Sequence, residues 1–407
     1  MKHSNYWFET CDSRHVNGVS FVKNVDVLIV GGGISGMSLL FQLARSKSNN
    51  VYLAEESAVG YHASGRSSGQ LMLRGSKYFT DFEDASVARA YALFLTHNIR
   101  RFTRILQTTN ADVDLHVGGG LRLACDEEEF RKLEAEVKFI NKIAPDTNCI
   151  TLDRSAIKSI IPSDTFVGGA YIPIEATLNP YKLVNNIRRS IESVGPRIYT
   201  NATIESVTPQ SDGSLSVSIR HKGVIRAKKV VYCTNAYTPE LLPEFKDFMV
   251  PFRGQMISTD VLPEESLNKL PTMSMSCNYG SEYFRTYGNR LLIGGKRNAV
   301  RGAQRNIIYD GEVSQAVFSR LRDFLNESLP FVNTKVTHTW GGIMCETKDG
   351  LPLVGQLPDR PNEYIMAGFN GYGISHAFLS SVIMRDLLLK GKTDIPGASL
   401  FFPTRHV

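Results

Sequence analysis

The chain has no stretch approaching the ~20 apolar residues of a membrane-spanning helix, so no transmembrane segment is expected. Its start, Met1 to Phe8, carries no hydrophobic signal core, and secretion is not expected. Cysteine is sparse. Cys11, Cys125, Cys149, Cys233, Cys277 and Cys345 form no CxxC pair and no ligand spacing with histidine. That argues against a disulfide scaffold and against a metal site, and predicts reduced, mostly buried thiols of a cytoplasmic protein. There is no internal repeat and no low-complexity tract. Aromatic and basic residues do not interleave in a way that would mark a DNA-binding surface.

What remains is ordinary globular material: 407 residues, 42% hydrophobic and 21% charged, enough for two intimately built domains with a sizeable core. The net charge is +6. Most of it is scattered, but Lys296, Arg297, Arg301 and Arg305 share one glycine-containing loop. Such a cluster can guide an acidic substrate or, less readily, RNA; a solvated loop is the plainer reading.

The most informative segment is Val27-Leu28-Ile29-Val30-Gly31-Gly32-Gly33-Ile34-Ser35-Gly36. An apolar strand precedes it, a helix from Met37 to Ala44 follows, and the next strand, Val51 to Ala54, ends in Glu55 beside Glu56. This is the arrangement that binds a dinucleotide. Gly31 makes the tight turn, Gly33 admits the pyrophosphate to the backbone, and Gly36 lets helix pack on strand. Phosphates then face the helix N-terminus around Ile34 and Ser35, and the acid accepts ribose hydroxyls.

Further along come a Gly/Ser-rich loop over 57–76, a helix from about Asp81 to Thr108, and a strand at Gly118 to Ala124. A helix over Glu127 to Lys142 is capped by Asp126. Segment 178–195 reads as a helix and 203–231 as a β-meander running into Cys233, Thr234 and Asn235. Residues 250–347 are rich in strand-like runs. Finally Glu363 to Ala367 leads through Gly368-Phe369-Asn370-Gly371-Tyr372-Gly373 into an apolar helix, Ser375 to Leu389. The chain thus begins and ends with strand–glycine loop–helix units. We expect an α/β (α+β) two-domain protein, with a Rossmann-type nucleotide domain of discontinuous segments and an inserted, mostly antiparallel β-sheet domain for substrate. The boundaries expected are 24–108, 178–248 and 348–407 for the first domain and 109–177 and 249–347 for the second. Residues 1–23, with Tyr6-Trp7-Phe8, form an extended leader on the surface.

With these pieces in order, the chain resembles the FAD-dependent amine and amino-acid oxidoreductases of the D-amino-acid oxidase superfamily, over nearly its whole length. The resemblance rests on the Gly31 to Glu55 unit, on Gly65-Arg66-Ser67-Ser68-Gly69-Gln70, and on Val230 to Ala236. It is completed by Trp340-Gly341-Gly342-Ile343-Met344, Asp349 to Gly355, and Gly368 to Gly373. It implies FAD rather than NAD. The helix opened by Gly371, Tyr372, Gly373, Ile374 and Ser375 would aim its positive end at the flavin pyrimidine edge. Ser64, Gly65, Arg66, Ser67, Ser68, Gly69 and Gln70 would hold or line the cofactor. Val207 would meet the adenine side through its backbone, and Thr234, Asn235, Trp340 and Gly342 complete the expected cofactor set.

The resemblance also implies chemistry: hydride leaves the carbon next to nitrogen for the flavin, and the imine hydrolyses. The protein's part is to deprotonate the amine, position the C–H bond and exclude water. His62 matches the active-site histidine of D-arginine dehydrogenases; in dimethylglycine dehydrogenases a related histidine bonds the flavin covalently, and a structural loop histidine is the third reading. Tyr283, Met344 and Glu346 are the other expected site residues. Met344 stands where D-amino-acid enzymes carry a carboxylate-binding arginine, so an amine, or a substrate whose acid lies far from the reacting carbon, is favoured. Arg253, Arg285 or Arg297 could replace the missing arginine, and Glu346 could attract a cationic amine. Leu292 and Ser375 stand where sarcosine oxidases carry lysines, which weakens the case for O2 as acceptor and leaves a quinone or carrier open. Two other readings stay open, a tRNA wobble-uridine-modifying flavoprotein and a non-catalytic flavin-bearing assembly factor.

Overall fold

The computed structural model describes residues 1–11, 22–46, 50–192, 195 and 197–406. It divides into two compact units. One comprises Met1–Thr10, Arg66–Pro180 and Phe252–Ile343; the other comprises Cys11–Gly65, Tyr181–Pro251 and Met344–Val407.

The second unit is built on a sheet with strand order Leu353–Gln356, Glu363–Ala367, Gly223–Tyr232, Asn24–Val30, Val51–Ala54, Ile198–Tyr199. Four successive pairings are parallel, and the edge hairpin Leu353–Gln356 with Glu363–Ala367 is antiparallel. The central strand reads Val-Leu-Ile-Val and is buried on both faces, as parallel strands covered by helices are. Helices Ile34–Arg45 and Gly373–Lys390 pack against each other in this unit. The meander Ile204–Pro209, Leu215–Ile219 and Gly223–Tyr232 extends the sheet as expected, with Val207 opposite Val217.

The first unit carries most of an eight-stranded sheet in the order Val336–Thr347, Met249–Thr259, Arg290–Gly295, Glu282–Tyr287, Ser274–Cys277, Gly120–Ala124, Gly168–Ile172, Ile150–Asp153. It is mostly antiparallel, with Ser274–Cys277 and Gly120–Ala124 running parallel. Its core joins Leu121, Leu123, Met275, Phe284, Leu291 and Ile293 to Val317, Leu321, Phe324 and Leu325 of the helix Gln315–Ser328. The fold class expected from sequence is the one observed.

Local signals explain the element ends. Asp126 accepts the Glu129 N–H at 2.8 Å and starts the helix Glu127–Ile143. The helix expected from Asp81 starts later, at Ala85, because Asp84 is the cap and Phe79–Asp81 forms a separate 3-10 turn. Residues 66–108, placed with the nucleotide segments on sequence, cluster in the first unit, where Ala85–Thr108 packs on Glu127–Ile143. The N-terminal leader needs correction. Tyr6–Glu9 is a 3-10 turn rather than extended chain, and Trp7 is fully buried; residues 12–21 of the expected leader lie outside the described residues.

Candidate cofactor and substrate site

The strand Asn24–Val30 ends in a turn that only glycine can make. Gly31 has φ 107°, and a Cβ there would lie 2.7 Å from the Cys233 carbonyl oxygen; a Cβ on Gly36 would lie 1.9 Å from the Gly31 carbonyl oxygen. Gly33 caps the helix Ile34–Arg45 without any side-chain cap. Of the four amides at such an end, Ile34 N–H donates to Ser64 Oγ at 2.8 Å. Those of Gly33, Ser35 and Gly36 have no acceptor within the helix. Glu55 closes the turn: one carboxylate oxygen accepts the Gly32 N–H at 2.6 Å, the other the Ser57 N–H at 2.8 Å. Burial pushes its pKa up, and these two bonds pull it back. Each oxygen keeps a further lone pair for a hydroxyl.

The second glycine loop is held by two asparagines in left-handed backbone conformation. Asn370 Oδ1 accepts the Thr347 N–H at 2.8 Å while its Nδ2 donates to the Gly368 carbonyl at 2.9 Å. Asn235 Oδ1 accepts the Gly368 N–H at 3.2 Å. Asn235, expected at the cofactor, therefore also fixes this loop. The helix Gly373–Lys390 again begins without a side-chain cap. Its first turn adjoins that of the other helix, since a Cβ on Gly373 would lie 3.6 Å from Ile34 Cγ2. Two positively polarised helix ends whose N-cap residues, Gly33 and Tyr372, give no side-chain cap thus meet within one unit, an arrangement that favours a bound anion. Ile374 and Ser375 are buried in the turn, while Gly371 is exposed and Tyr372 and Gly373 half-buried. One residue on, His376 is fully buried, its Nδ1 2.7 Å from the Tyr372 carbonyl; burial lowers its pKa to about 4, so it is neutral at pH 7.

The expected catalytic residues fall in different surroundings. His62 Nε2 lies 3.0 Å from Glu56 Oε1, and its ring sits 5.3 Å from Tyr61 and 5.4 Å from Tyr237. Gly60 N–H donates to the Gly32 carbonyl at 3.0 Å, tying the His62 loop to the glycine turn, and Gly65 packs against Tyr181. Gly342, Met344 and Glu346 are half-buried and alternate with buried Ile343, Cys345 and Thr347 along Val336–Thr347, so the three share one strand face. Met344 Sδ would lie 3.5 Å from a Cβ on Gly371, which puts the thioether beside the second glycine loop. Thr234 Oγ1 meets Thr238 Oγ1 at 2.9 Å. Tyr283, on a strand of the first unit, covers Gly294 of the neighbouring strand.

The first unit holds the loop Arg66–Gln70. Its side chains are largely committed: Arg66 Nε lies 3.4 Å from Asp310 and Nη1 donates to the Gly341 carbonyl, and Gln70 Nε2 donates to the carbonyls of Met275 and Phe284. Ser68 Oγ donates to Gln70 Oε1. Trp340 Nε1 donates to the Arg66 carbonyl at 2.8 Å. Gly69 has its carbonyl bound by Arg285 and Leu178. In contrast Ser67 Oγ is buried without a partner, as a hydroxyl that meets a bound group would be. None of the three arginines considered as carboxylate anchors is idle. Arg285 donates to the carbonyls of Gly69 and Leu178 at 2.9 Å, Arg253 grips Gln304, and Arg297 stacks on Phe252. Lys296 pairs with Glu282, so the basic loop is engaged internally at this residue too. Leu292 is fully buried.

Sequence reasoning passed over Asn370 and Trp7. Asn370 lies within a quoted motif, and asparagine between glycines is a left-handed turn signal. Trp7 stood out as an aromatic leader, but nothing local reveals its partner.

Glycine-lined helix ends beside a parallel sheet, together with a mostly antiparallel second sheet, define a two-unit α/β protein. Residues 26–387 match the DAO family, described as FAD dependent oxidoreductase, and the chain belongs to that family. It is 28% identical over 371 residues to the gamma-glutamylputrescine oxidoreductase of Escherichia coli (strain K12), spanning 89% of this chain and 83% of that protein. It is 26% identical over 389 residues to the glycine oxidase of Geobacillus kaustophilus (strain HTA426), spanning 94% and 97%. The crystal structure of L-proline dehydrogenase from P. horikoshii shares the fold, with TM-score 0.80 and 18% identity over 95% of this chain and 98% of that one. Among the described residues no helix is long and apolar enough to cross a membrane, and no group of histidine, cysteine and acidic residues is placed to hold a metal ion.

Proposed function

We propose that this chain binds FAD and oxidises the C–N bond of a small amine or amino acid to an imine, which water hydrolyses. The observation that carries the reading is the meeting of two helix ends, at Ile34 and Gly373, that lack an N-cap side chain, beside a turn that tolerates only glycine. The donor set fits the cofactor: the amides of Gly33, Ser35 and Gly36 suit phosphate oxygens, and Glu55 suits ribose hydroxyls. Ser67 and Ser68 supply donors for ring carbonyls, and the Gly371–Ser375 turn stabilises negative charge on the flavin. When bound, FAD supplies the two-electron acceptor that no side chain can provide.

The chain's own residues do the rest. His62, held by Glu56, takes the proton from the substrate ammonium so that the nitrogen lone pair can assist departure of hydride from the neighbouring carbon. Met344 offers an apolar surface where a carboxylate cannot be paired, and Glu346 on the same strand face attracts a cationic nitrogen. This favours an amine, or an amino compound whose carboxylate lies far from the reacting carbon, over a simple α-amino acid. The flavin is held without a covalent bond, His62 being engaged with Glu56. After acid precipitation, colour should remain in the supernatant; a yellow pellet would contradict this.

The test is an anaerobic screen following loss of flavin absorbance, with γ-glutamylputrescine, putrescine, glycine, dimethylglycine and L-proline as first candidates. Air is then admitted. Rapid bleaching by an amine is expected. Slow recovery in air, with fast recovery on adding a quinone, is expected from the uncharged Leu292 and Ser375. No bleaching by any amine would support a non-catalytic role instead, and RNA that copurifies and is released by salt would support the tRNA-modifying alternative.

A further inference from the structure

The chain contains two tryptophans, and both donate their indole N–H to consecutive carbonyls of one loop. Trp340 Nε1 binds the Arg66 carbonyl at 2.8 Å and Trp7 Nε1 binds the Ser67 carbonyl at 2.8 Å. Arg285 binds the next pair, reaching the Ser68 carbonyl at 3.5 Å and the Gly69 carbonyl at 2.9 Å. Because a peptide unit is planar and trans, each fixed carbonyl fixes the opposite direction of the following N–H. The amides of Ser67 and Ser68 are thereby aimed, and among the described residues neither has a partner. Ser67 Oγ is buried and likewise unpartnered. The two amides are thus held ready by groups that grip only the carbonyl side of the loop.

Trp7 reaches this loop from the far N-terminus, and the segment carrying it is anchored along its length. Lys2 exchanges backbone hydrogen bonds with Thr337 and Thr339. Asn5 Oδ1 accepts the Trp7 N–H at 3.1 Å, and Thr10 Oγ1 accepts from Asn179 Nδ2 at 2.7 Å. Arg285 lies 5.6 Å over the Trp7 ring, Tyr287 meets its edge at 4.8 Å, and Phe8 faces Arg66 at 5.5 Å. A phenylalanine at position 7 would keep most of this packing. Only the indole N–H reaches the Ser67 carbonyl.

We propose that the N-terminal segment Tyr6–Glu9 is a clamp and that Trp7 is a positioning residue, aiming the Ser67 and Ser68 donors at the carbonyl-bearing ring of the cofactor. The proposal rests on the FAD reading above. The experiment compares apoprotein of the parent and of Trp7→Phe by FAD titration, visible spectrum of the complex and thermal melting without FAD. The variant should bind FAD about tenfold more weakly and shift the flavin band, while its apoprotein melts within about 3 °C of the parent. It should lower kcat more than it raises KM for the amine. Equal FAD affinity and an unchanged spectrum would overturn the clamp. So would weakening that simply tracks a large loss of apoprotein melting temperature, the mark of a packing role alone. Should Trp7→Phe not accumulate folded, the double variant Lys2→Ala, Glu9→Gln, which loosens the Lys2–Glu9 pair and the Glu9 contact with His338, is titrated in its place. It should weaken FAD about twofold, and parent-like binding would overturn the proposal. A parent that takes up no FAD would instead sink the function reading, and the clamp with it.

Discussion

The Gly31–Gly36 turn of one unit and the Arg66–Gln70 loop of the other are shaped in opposite ways. The turn is shaped locally: its geometry comes from glycines whose missing Cβ atoms make room for the Cys233 and Gly31 carbonyl oxygens, and its donors come from the helix it opens. The loop is shaped from a distance. Its carbonyls are gripped by Trp7, Trp340 and Arg285, between 60 and 274 residues away for the two tryptophans. A motif that carries its own geometry survives as a motif. One whose geometry is imposed by remote partners is recognisable only once the chain has folded.

Substitutions that break each region should separate the two modes. The largest effect is expected at Gly36→Ala, whose Cβ meets the fixed Gly31 carbonyl oxygen rather than a movable side chain. It should give protein that neither retains FAD nor melts cooperatively near the parent temperature. Normal FAD content would show that the turn can relax. Arg285→Met should come next. It leaves the buried Leu178 carbonyl without its donor, while the Gly69 carbonyl keeps the Leu178 N–H, and should cost about 3 kcal/mol, read by denaturant unfolding. Its effect should appear in apoprotein as well as holoprotein, unlike that of Trp7→Phe.

These predictions follow what the sequence could and could not show. The first βαβ unit, the meander and the closing strand–loop–helix were legible because each rests on apolar periodicity and a glycine or cap within a few residues. The start of the helix at Ala85 was missed because Asp81 and Asp84 are both plausible caps, and the choice depends on Phe79–Asp81 being anchored by Glu136. The clustering of 66–108 with the first unit and the burial of Trp7 depend on packing partners remote in sequence, and no local signal encodes them. In the site, the pairing of His62 with Glu56 depends on the fold of an irregular loop and had no spacing signal. Nor had the commitment of Gln70 to the Met275 and Phe284 carbonyls.

His376 sharpens the comparison further, since it lies three residues beyond the second glycine loop, in the first turn of the helix. Its pKa is lowered from 6.5 to about 4 by burial, so the unfolded chain binds more protons there than the folded one between those values. Stability contributed by the neutral ring is complete above about pH 6.5 and is lost as pH falls toward 4, on the order of 3 kcal/mol. His376→Asn should flatten that acid limb of the stability profile; an unchanged slope between pH 4 and 6.5 would remove His376 as its source. The smallest structural effect is expected at Glu56→Gln. Because Glu56 and His62 are partly exposed, stability should change by less than about 1 kcal/mol. The rise of amine oxidation with pH should nonetheless move, because the carboxylate no longer supports a protonated His62. An unaltered pH profile would exclude the pair from proton transfer.

The most direct measurement is the absorption spectrum of the purified protein, followed by FAD titration after stripping. The two helix ends at Ile34 and Gly373 predict a yellow protein whose flavin is released by acid and regained stoichiometrically by the apoprotein. A colourless chain that takes up no FAD under native conditions would contradict the account at its centre.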